Sequence, residues 1–76
     1  MDLQLGGGLA WYDEQKRSNI TLKLVLPVSL MTLLSILSIP PAEIAIISIN
    51  GQLFEGDDCL LQDADTVMLY PAMGGG

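Results

Sequence analysis

The sequence contains no histidine and only one cysteine, Cys59, in 76 residues. A single cysteine excludes an internal disulfide, and without histidine the chain cannot build a zinc site of the usual Cys/His kind. The same absence excludes Ser-His-Asp and Cys-His catalysis. So short a chain also has little room for a deep substrate pocket. We therefore expect no metal site and no bound cofactor, and a carrier or binding module rather than a self-contained enzyme.

Basic residues are almost as scarce. Lys16, Arg17 and Lys23 stand against nine acidic residues, and the formal net charge is −6. Such a chain cannot neutralise a row of phosphates, so we expect no nucleic-acid binding. An acidic protein is instead steered toward basic partner surfaces.

Residues 24–42 carry no charge and form the one stretch that could be mistaken for a membrane span. A spanning helix needs roughly 20 mostly apolar residues. Pro27 and Pro40-Pro41 divide this run into a strand end and a helix of about three turns. Residues 1–8 also lack the basic start and apolar run of a secretory signal. We expect no membrane association and a cytoplasmic location.

Alternating polar and apolar residues predict a strand at 2–5 and a second at 19–26. In the second strand the even-numbered residues from Ile20 to Leu26 fall on one face. Leu9 and Tyr12, which a glycine run separates from the first strand, are spaced for one face of a helical turn. We interpret Tyr12 and its neighbour Trp11 as core or edge packing.

A helix is predicted after Ser29, which is a good N-cap. Pro40-Pro41 should end it. Met31 and Ile36 lie off its apolar stripe and either make an unusually apolar helix or form part of a partner surface. The stripe consists of Leu30, Leu33, Leu34 and Leu37.

The second half of the chain predicts three more strands. The apolar run 44–49 is typical of a strand covered on both faces. Asn50-Gly51 is a strong hairpin signal, and 52–54 is the return strand. The last strand, 66–70, ends at Pro71. The element order predicts an α+β domain over residues 1–71, with one main helix packed on one face of a mixed sheet, followed by a Gly-rich tail, 72–76.

The tail ends in Met73-Gly74-Gly75-Gly76. Gly74 and Gly75 have no side chains, so they could thread a narrow channel and bring the Gly76 carboxylate to a buried active site of another protein. There it could attack the α-phosphate of ATP and form an acyl-adenylate, from which sulfur displaces AMP to leave a thiocarboxylate. Three terminal glycines are also typical of a loose end or a cloning remnant, and the glycines alone favour that alternative.

Residues 39–76, half of the chain, resemble the molybdopterin synthase small subunit and the thiamin sulfur carrier. Weaker similarity extends upstream through Leu26-Pro27. No single motif is decisive, but their order and spacing up to the final glycines are fairly specific. The similar segments are Ile39-Pro40, Ile47-Ser48-Ile49-Asn50-Gly51, Leu61-Gln62-Asp63-Ala64-Asp65-Thr66-Val67 and Leu69-Tyr70-Pro71-Ala72-Met73-Gly74-Gly75-Gly76.

This resemblance implies a β-grasp (ubiquitin-like) fold and a sulfur carrier adenylated at Gly76. The implied partners are an adenylating enzyme that uses ATP and Mg, a sulfur donor, and a large synthase subunit or thiazole synthase as acceptor. Tyr70-Pro71 is more typical of the molybdopterin branch than of the thiamin branch, and a sulfur carrier for another pathway, such as tungsten-pterin synthesis, is a further alternative. A ubiquitin-like interaction module whose tail is never activated remains an alternative. The family usually has glycine where this chain has Ala64, and a positive φ there would strain alanine.

The sheet face near the tail often docks partners in ubiquitin-like modules, and exposed aromatic or Met side chains suit that role. Core packing is an equal alternative for them. The candidates for docking are Phe54, Met68, Tyr70, Pro71 and Met73.

Cys59 lies beside two leucines, which favours inert packing over persulfide chemistry. The acidic pairs Asp57-Asp58 and Asp63/Asp65 do not match a calcium loop, and we interpret them as turn residues.

Overall fold

The computed structural model describes residues 1–72, which form a five-stranded sheet, a two-stranded sheet and one α-helix. Two short 3-10 helices, Leu9–Tyr12 and Pro41–Glu43, lie in connections. The α-helix, α1, spans Leu30–Ile36. The strands are β1 Asp2–Leu5, β2 Asn19–Thr21, β3 Val28–Ser29, β4 Ile44–Ile49, β5 Gln52–Leu53, β6 Leu60–Leu61 and β7 Thr66–Pro71.

The five-stranded sheet is mixed, with strand order β2-β1-β7-β4-β5. Its central strand, β7, is parallel to β1 and antiparallel to β4. The predicted α+β layout of a mixed sheet with one helix is therefore confirmed. The pairing of β3 with β6 was not predicted, because each strand has only two residues and shows no periodicity.

The core lies between α1 and one face of this sheet, the inner face. Leu3 and Ile49 flank Val67 in the strand register, and side chains that are opposite each other point to the same face. The same register places Gln4 and Ser48 beside Met68 on the outer face. The buried core consists of Met1, Leu3, Leu5, Leu9, Ile20, Leu30, Leu33, Leu34, Ile39, Leu61, Val67 and Leu69.

Two polar side chains cap the start of α1. The Ser29 hydroxyl accepts a hydrogen bond from the Thr32 amide at 3.0 Å, which confirms the predicted N-cap. The Asp58 carboxylate, from the β5–β6 loop, accepts the Met31 amide at 3.0 Å. This second cap ties a distant loop to the helix.

The helix is shorter than predicted, with seven residues. It ends before the prolines, because Ser38 takes a left-handed conformation with φ of 61°. Pro40 and Pro41 instead lead into the second 3-10 helix. No helix within residues 1–72 has the length and apolar character needed to cross a membrane.

The second strand is also shorter than predicted and ends at Thr21. Beyond it the Leu24 amide donates to the Asp63 carboxylate at 2.8 Å, so a side chain replaces a neighbouring strand. Leu22 and Leu24 still face the core, but Leu26 is 76% exposed. The predicted apolar face therefore stops at Leu24.

The bounds of β4 match the prediction, but its burial does not. Ala45 is exposed and Ile46 is 44% exposed, so the strand is not covered on both faces. The reason is that α1, the one α-helix in residues 1–72, packs on the inner face. The return strand β5 ends at Leu53, one residue early, although the Phe54 amide still donates to Ile47.

Asn50-Gly51 makes the predicted hairpin turn, with φ of 53° and 82°. The Asn50 side chain also joins this turn to the start of β7: its Nδ2 donates to Asp65 and its Oδ1 accepts the Thr66 amide, both at 2.9 Å. Asp65 accepts the Gln62 amide at 2.8 Å. Ala64 is not among the non-glycine residues with positive φ, so the strain considered there is absent.

We predict that this network contributes pH-dependent stability. The hydrogen bonds from Asn50 and Gln62 hold the pKa of Asp65 below its ordinary value. A folded-state pKa below the unfolded value of about 3.9 gives stability that is present above that pH and lost as the pH falls below it. Asp65→Asn should lower the free energy of unfolding at pH 7 and reduce its loss in acid, as measured by urea denaturation from pH 7 to 3.

Asp57→Asn is the matched control, because the Asp57 carboxylate accepts no side-chain hydrogen bond within the part of the chain that the structure describes. It should leave the stability profile unchanged. Equal profiles for Asp65→Asn and the parent protein would show that the network has no such role.

Candidate functional site

The predicted reactive end of the chain, Gly76, lies outside the described residues, as do Gly74, Gly75 and Met73. The structure does describe the strand that leads to them. β7 crosses the centre of the sheet, and Pro71, its last residue, lies opposite Ile44. The candidate site is therefore the end of β7 and the surface around it.

An apolar patch covers the outer face of the sheet beside this strand end. Ile46 lies opposite Tyr70, while Ser48 lies opposite both Met68 and Leu53. The exposed fractions are 44% for Ile46, 73% for Leu53 and 40% for Tyr70. The Tyr70 hydroxyl donates to the Met68 sulfur at 3.4 Å, so these two side chains lie together along β7. We call Ile46, Leu53, Met68 and Tyr70 the outer patch.

The sequence predicted two of these four residues. Met68 and Tyr70 lie on the outer patch, and their role in docking stays a prediction. Phe54 is half-buried against the core, but it also lines a shallow hollow of about 150 Å³ together with Ile46 and Leu53. Pro71 is half-buried at the strand end.

Ile46 and Leu53 were missed as candidate docking residues. The apolar run 44–49 predicts a strand covered on both faces, so an exposed side chain at Ile46 was not expected from the sequence. The number of predicted helices could have indicated this exposure. One helix covers only one face of a sheet, so apolar residues that point to the other face stay exposed. The hairpin could have indicated that Leu53 is exposed as well, because Leu53 pairs with Ser48 on the same outer face.

Gly6 and Gly7 form a seat for Tyr70 and Pro71. A Cβ atom on Gly6 would overlap the Tyr70 ring, and one on Gly7 would lie 2.5 Å from the Pro71 Cγ. Gly7 also has φ of +55°, a conformation that favours glycine. The Gly6 amide donates to the Leu69 carbonyl at 2.8 Å. The glycines thus hold the end of β7 in place, whereas the sequence alone suggested only a break after the first strand.

Cys59 is partly buried against the core, the position expected for a cysteine with a packing role. Its side chain packs against the core, and its pKa is raised by burial first and then by the neighbouring charges of Asp58 and Asp65. A raised pKa keeps the thiol protonated and unreactive.

Three of the four residues in the acidic pairs accept hydrogen bonds from backbone amides. Asp58 accepts the amides of Met31 and Cys59, and Asp63 accepts that of Leu24. Within residues 1–72, no three or more His, Cys, Asp or Glu side chains are grouped so that they could hold a metal ion. Their roles as turn and cap residues agree with the sequence interpretation.

A second polar cluster is formed at and directly after the first 3-10 helix. Asp13 is 5% exposed, and Arg17 donates to both of its carboxylate oxygens, at 3.0 and 3.1 Å, which holds the pKa of Asp13 far below its usual range. Trp11 does not join the core, since it is 68% exposed. It packs edge-on against Tyr12 and beneath the Lys16 amine. The cluster fixes the loop before β2.

Comparison with models of protein families, with curated proteins and with solved structures finds no match for this chain. Its function is therefore inferred from the fold, the outer patch and the tail sequence.

The glycine seat yields a matched pair of variants. Gly7→Ala should destabilise the protein by at least about 1–2 kcal/mol, because alanine is disfavoured at positive φ and its Cβ meets the Pro71 ring. Gly8→Ala should change stability by less than about 0.5 kcal/mol, because Gly8 has φ of −92° and a Cβ there would meet no other part of residues 1–72 within 4 Å. Chemical denaturation measures both, and equal effects would contradict a specific seat.

Proposed function

We propose that this protein is a sulfur carrier with a β-grasp fold, adenylated at Gly76 and then carrying sulfur there as a thiocarboxylate. The observation that carries the proposal is the course of β7. The strand passes through the outer patch at Met68 and Tyr70 and ends at Pro71, directly before the tail. A partner bound on the patch therefore lies close to the start of the tail.

The length of the tail fits this use. The six residues that follow Tyr70 in the sequence can span at most about 20 Å when fully extended. A partner that covers the outer patch can thus keep its own active site within reach of Gly76. A glycine end lets that site be narrow, because no side chain has to enter it.

The sheet order supports the β-grasp assignment. The first and last strands lie side by side and parallel, and the helix follows the β2–β3 segment and packs on the inner face. Two of the family-like segments also contact each other, because the Asn50 side chain bonds Asp65 and Thr66. These two segments therefore share a structural role at one end of the sheet.

The chemistry is completed by partners. A carboxylate oxygen of Gly76 attacks the α-phosphorus of ATP and pyrophosphate leaves, which gives an acyl-adenylate. A sulfide-equivalent nucleophile then attacks the acyl carbon, AMP leaves, and sulfur takes the place of one carboxylate oxygen. The adenylating partner supplies the ATP site and Mg. This chain supplies the docking surface and the acyl group.

The acceptor is proposed from the resemblance. Tyr70-Pro71 favours the molybdopterin branch or tungsten-pterin synthesis, with the large synthase subunit as the acceptor. In this structure Pro71 has a defined place, against Gly7 and opposite Ile44. Thiazole synthase in the thiamin branch is the alternative acceptor.

A docking module with an unactivated tail is the second candidate function. The outer patch favours it, since Ile46, Leu53 and Tyr70 are exposed whatever happens at Gly76. A module of this kind would keep its function without the last glycine, whereas a carrier would lose it.

The first test is mass spectrometry of the C-terminal fragment. The protein is incubated with a candidate adenylating enzyme of the ubiquitin-activating type, ATP, Mg and sodium sulfide. We expect one oxygen of Gly76 to be replaced by sulfur. The change must be located on Gly76, because methionine oxidation adds nearly the same mass. A variant that lacks Gly76 is the control and should show no exchange. Failure with every cognate enzyme would leave the docking module.

The second test is docking on the outer patch. Leu53→Lys should weaken binding to the adenylating partner at least about tenfold, the loss typical of a central apolar contact. Leu60→Lys is the matched control and should stay within about twofold, because Leu60 is similarly exposed, 68% against 73%, but lies in the small sheet. Calorimetry measures both affinities, and equal weakening would place the docking surface elsewhere.

A further inference from the structure

A second apolar surface lies on the inner side of the sheet, between α1 and β4. It is a cleft of about 360 Å³. Leu30 and Leu34 are buried in its floor, Met31 is 39% exposed at the helix side, and Ile44 and Ile47 form the side toward the sheet. The cleft is separate from the outer patch, because Ile47 points inward beside Leu69 while Ile46 points outward.

The rim of this cleft is acidic. Asp57 lines it directly. Glu43 shares a 3-10 helix with Pro41, which also lines the cleft. Within residues 1–72, the side chains of these two acids make no hydrogen bond or ion pair. The ion pairs there are Met1 with Asp63 and Arg17 with Asp13. The rim carboxylates are therefore available to a ligand.

The charges of the chain are unevenly distributed around the sheet. Lys16, Arg17 and Lys23 are the only basic residues, and all of them precede Leu24. They flank β2, which is at the opposite edge of the sheet from β5. Glu43 directly precedes β4 and Asp57 lies in the loop after β5, so no basic side chain compensates the acidic rim. The cleft thus combines an apolar interior with an uncompensated negative border.

We propose that this cleft is a second docking site, one that binds a basic amphipathic segment of a partner protein. Apolar side chains of that segment enter between α1 and β4, while its Lys or Arg side chains pair with Glu43 and Asp57. A second copy of this chain would bind the cleft poorly, because its three basic residues all lie in residues 13–23, a segment that also contains Asp13 and Glu14. The proposal does not depend on chemistry at Gly76.

The test uses a short amphipathic peptide of leucine and lysine, titrated into the isotope-labelled protein and followed by NMR. We expect the largest shifts at Met31, Leu34, Ile44 and Asp57, and weaker binding as salt is raised. A lysine-serine peptide of equal charge is the control and should bind at least about tenfold more weakly, because it buries no apolar surface. Shifts centred on the outer patch, or equal binding of the two peptides, would overturn the proposal.

A matched pair of helix variants tests the location. Met31→Lys puts a positive charge inside the cleft and should weaken peptide binding at least about tenfold, since like charges placed together cost several kcal/mol. Ile36→Lys makes the same charge change on the same helix, outside the cleft, and should stay within about twofold. Equal weakening would show that only the net charge matters, and the proposal would fail.

A rim pair provides a test that does not alter the helix. Asp57→Asn removes one rim charge and should weaken binding about threefold or more, while Asp2→Asn, on the outer face of β1, should have a smaller effect. Circular dichroism confirms that each variant is folded. Equal effects of the two changes would contradict the acidic rim as the binding determinant.

Discussion

The structure depends most on the pairing of β7 along both of its edges. This strand joins β1 on one side to β4 on the other, so without it the sheet would divide into two hairpins. Val67 and Leu69 are fully buried because both edges and the inner face of β7 are covered. A strand held in this way has little freedom, which fixes the position of Tyr70 on its outer face and of Pro71 at its end. Any function of the tail therefore starts from a rigid point.

The two ends of β7 are held by different chemistry. At its start, the Asn50 side chain donates to the Asp65 carboxylate and accepts from the Thr66 amide, which joins the β4–β5 turn to the turn before β7. At its end, Gly6 and Gly7 let the β1 segment approach Tyr70 and Pro71 without a side chain between them. One end uses charge-assisted hydrogen bonds and the other uses the absence of Cβ atoms. Both sets of contacts help to hold β7 in its register with the neighbouring strands.

Local chemistry explains which elements the sequence could predict. The Ser29 cap and the Asn50-Gly51 turn depend on neighbouring residues, and both are found in the structure. The predicted order of elements is also found, apart from the two-residue strands β3 and β6. The end of the second strand was misjudged because Leu24 bonds to Asp63, 39 residues away in sequence. The exposure of Ile46 was missed because it depends on where the helix packs. The chemistry of the tail was predicted from residues 73–76, which lie outside the described part of the chain.

The outer patch and the inner cleft lie on opposite faces of one thin layer, with β4 contributing to both. Ile46 points to the patch and Ile47 to the cleft, so adjacent residues serve two surfaces. The patch lies beside the start of the tail, whereas the cleft carries the acidic rim, so the two surfaces select partners by different physical properties. In the proposed carrier role, this difference would let one face stay bound to a partner while the other face exchanges its partner.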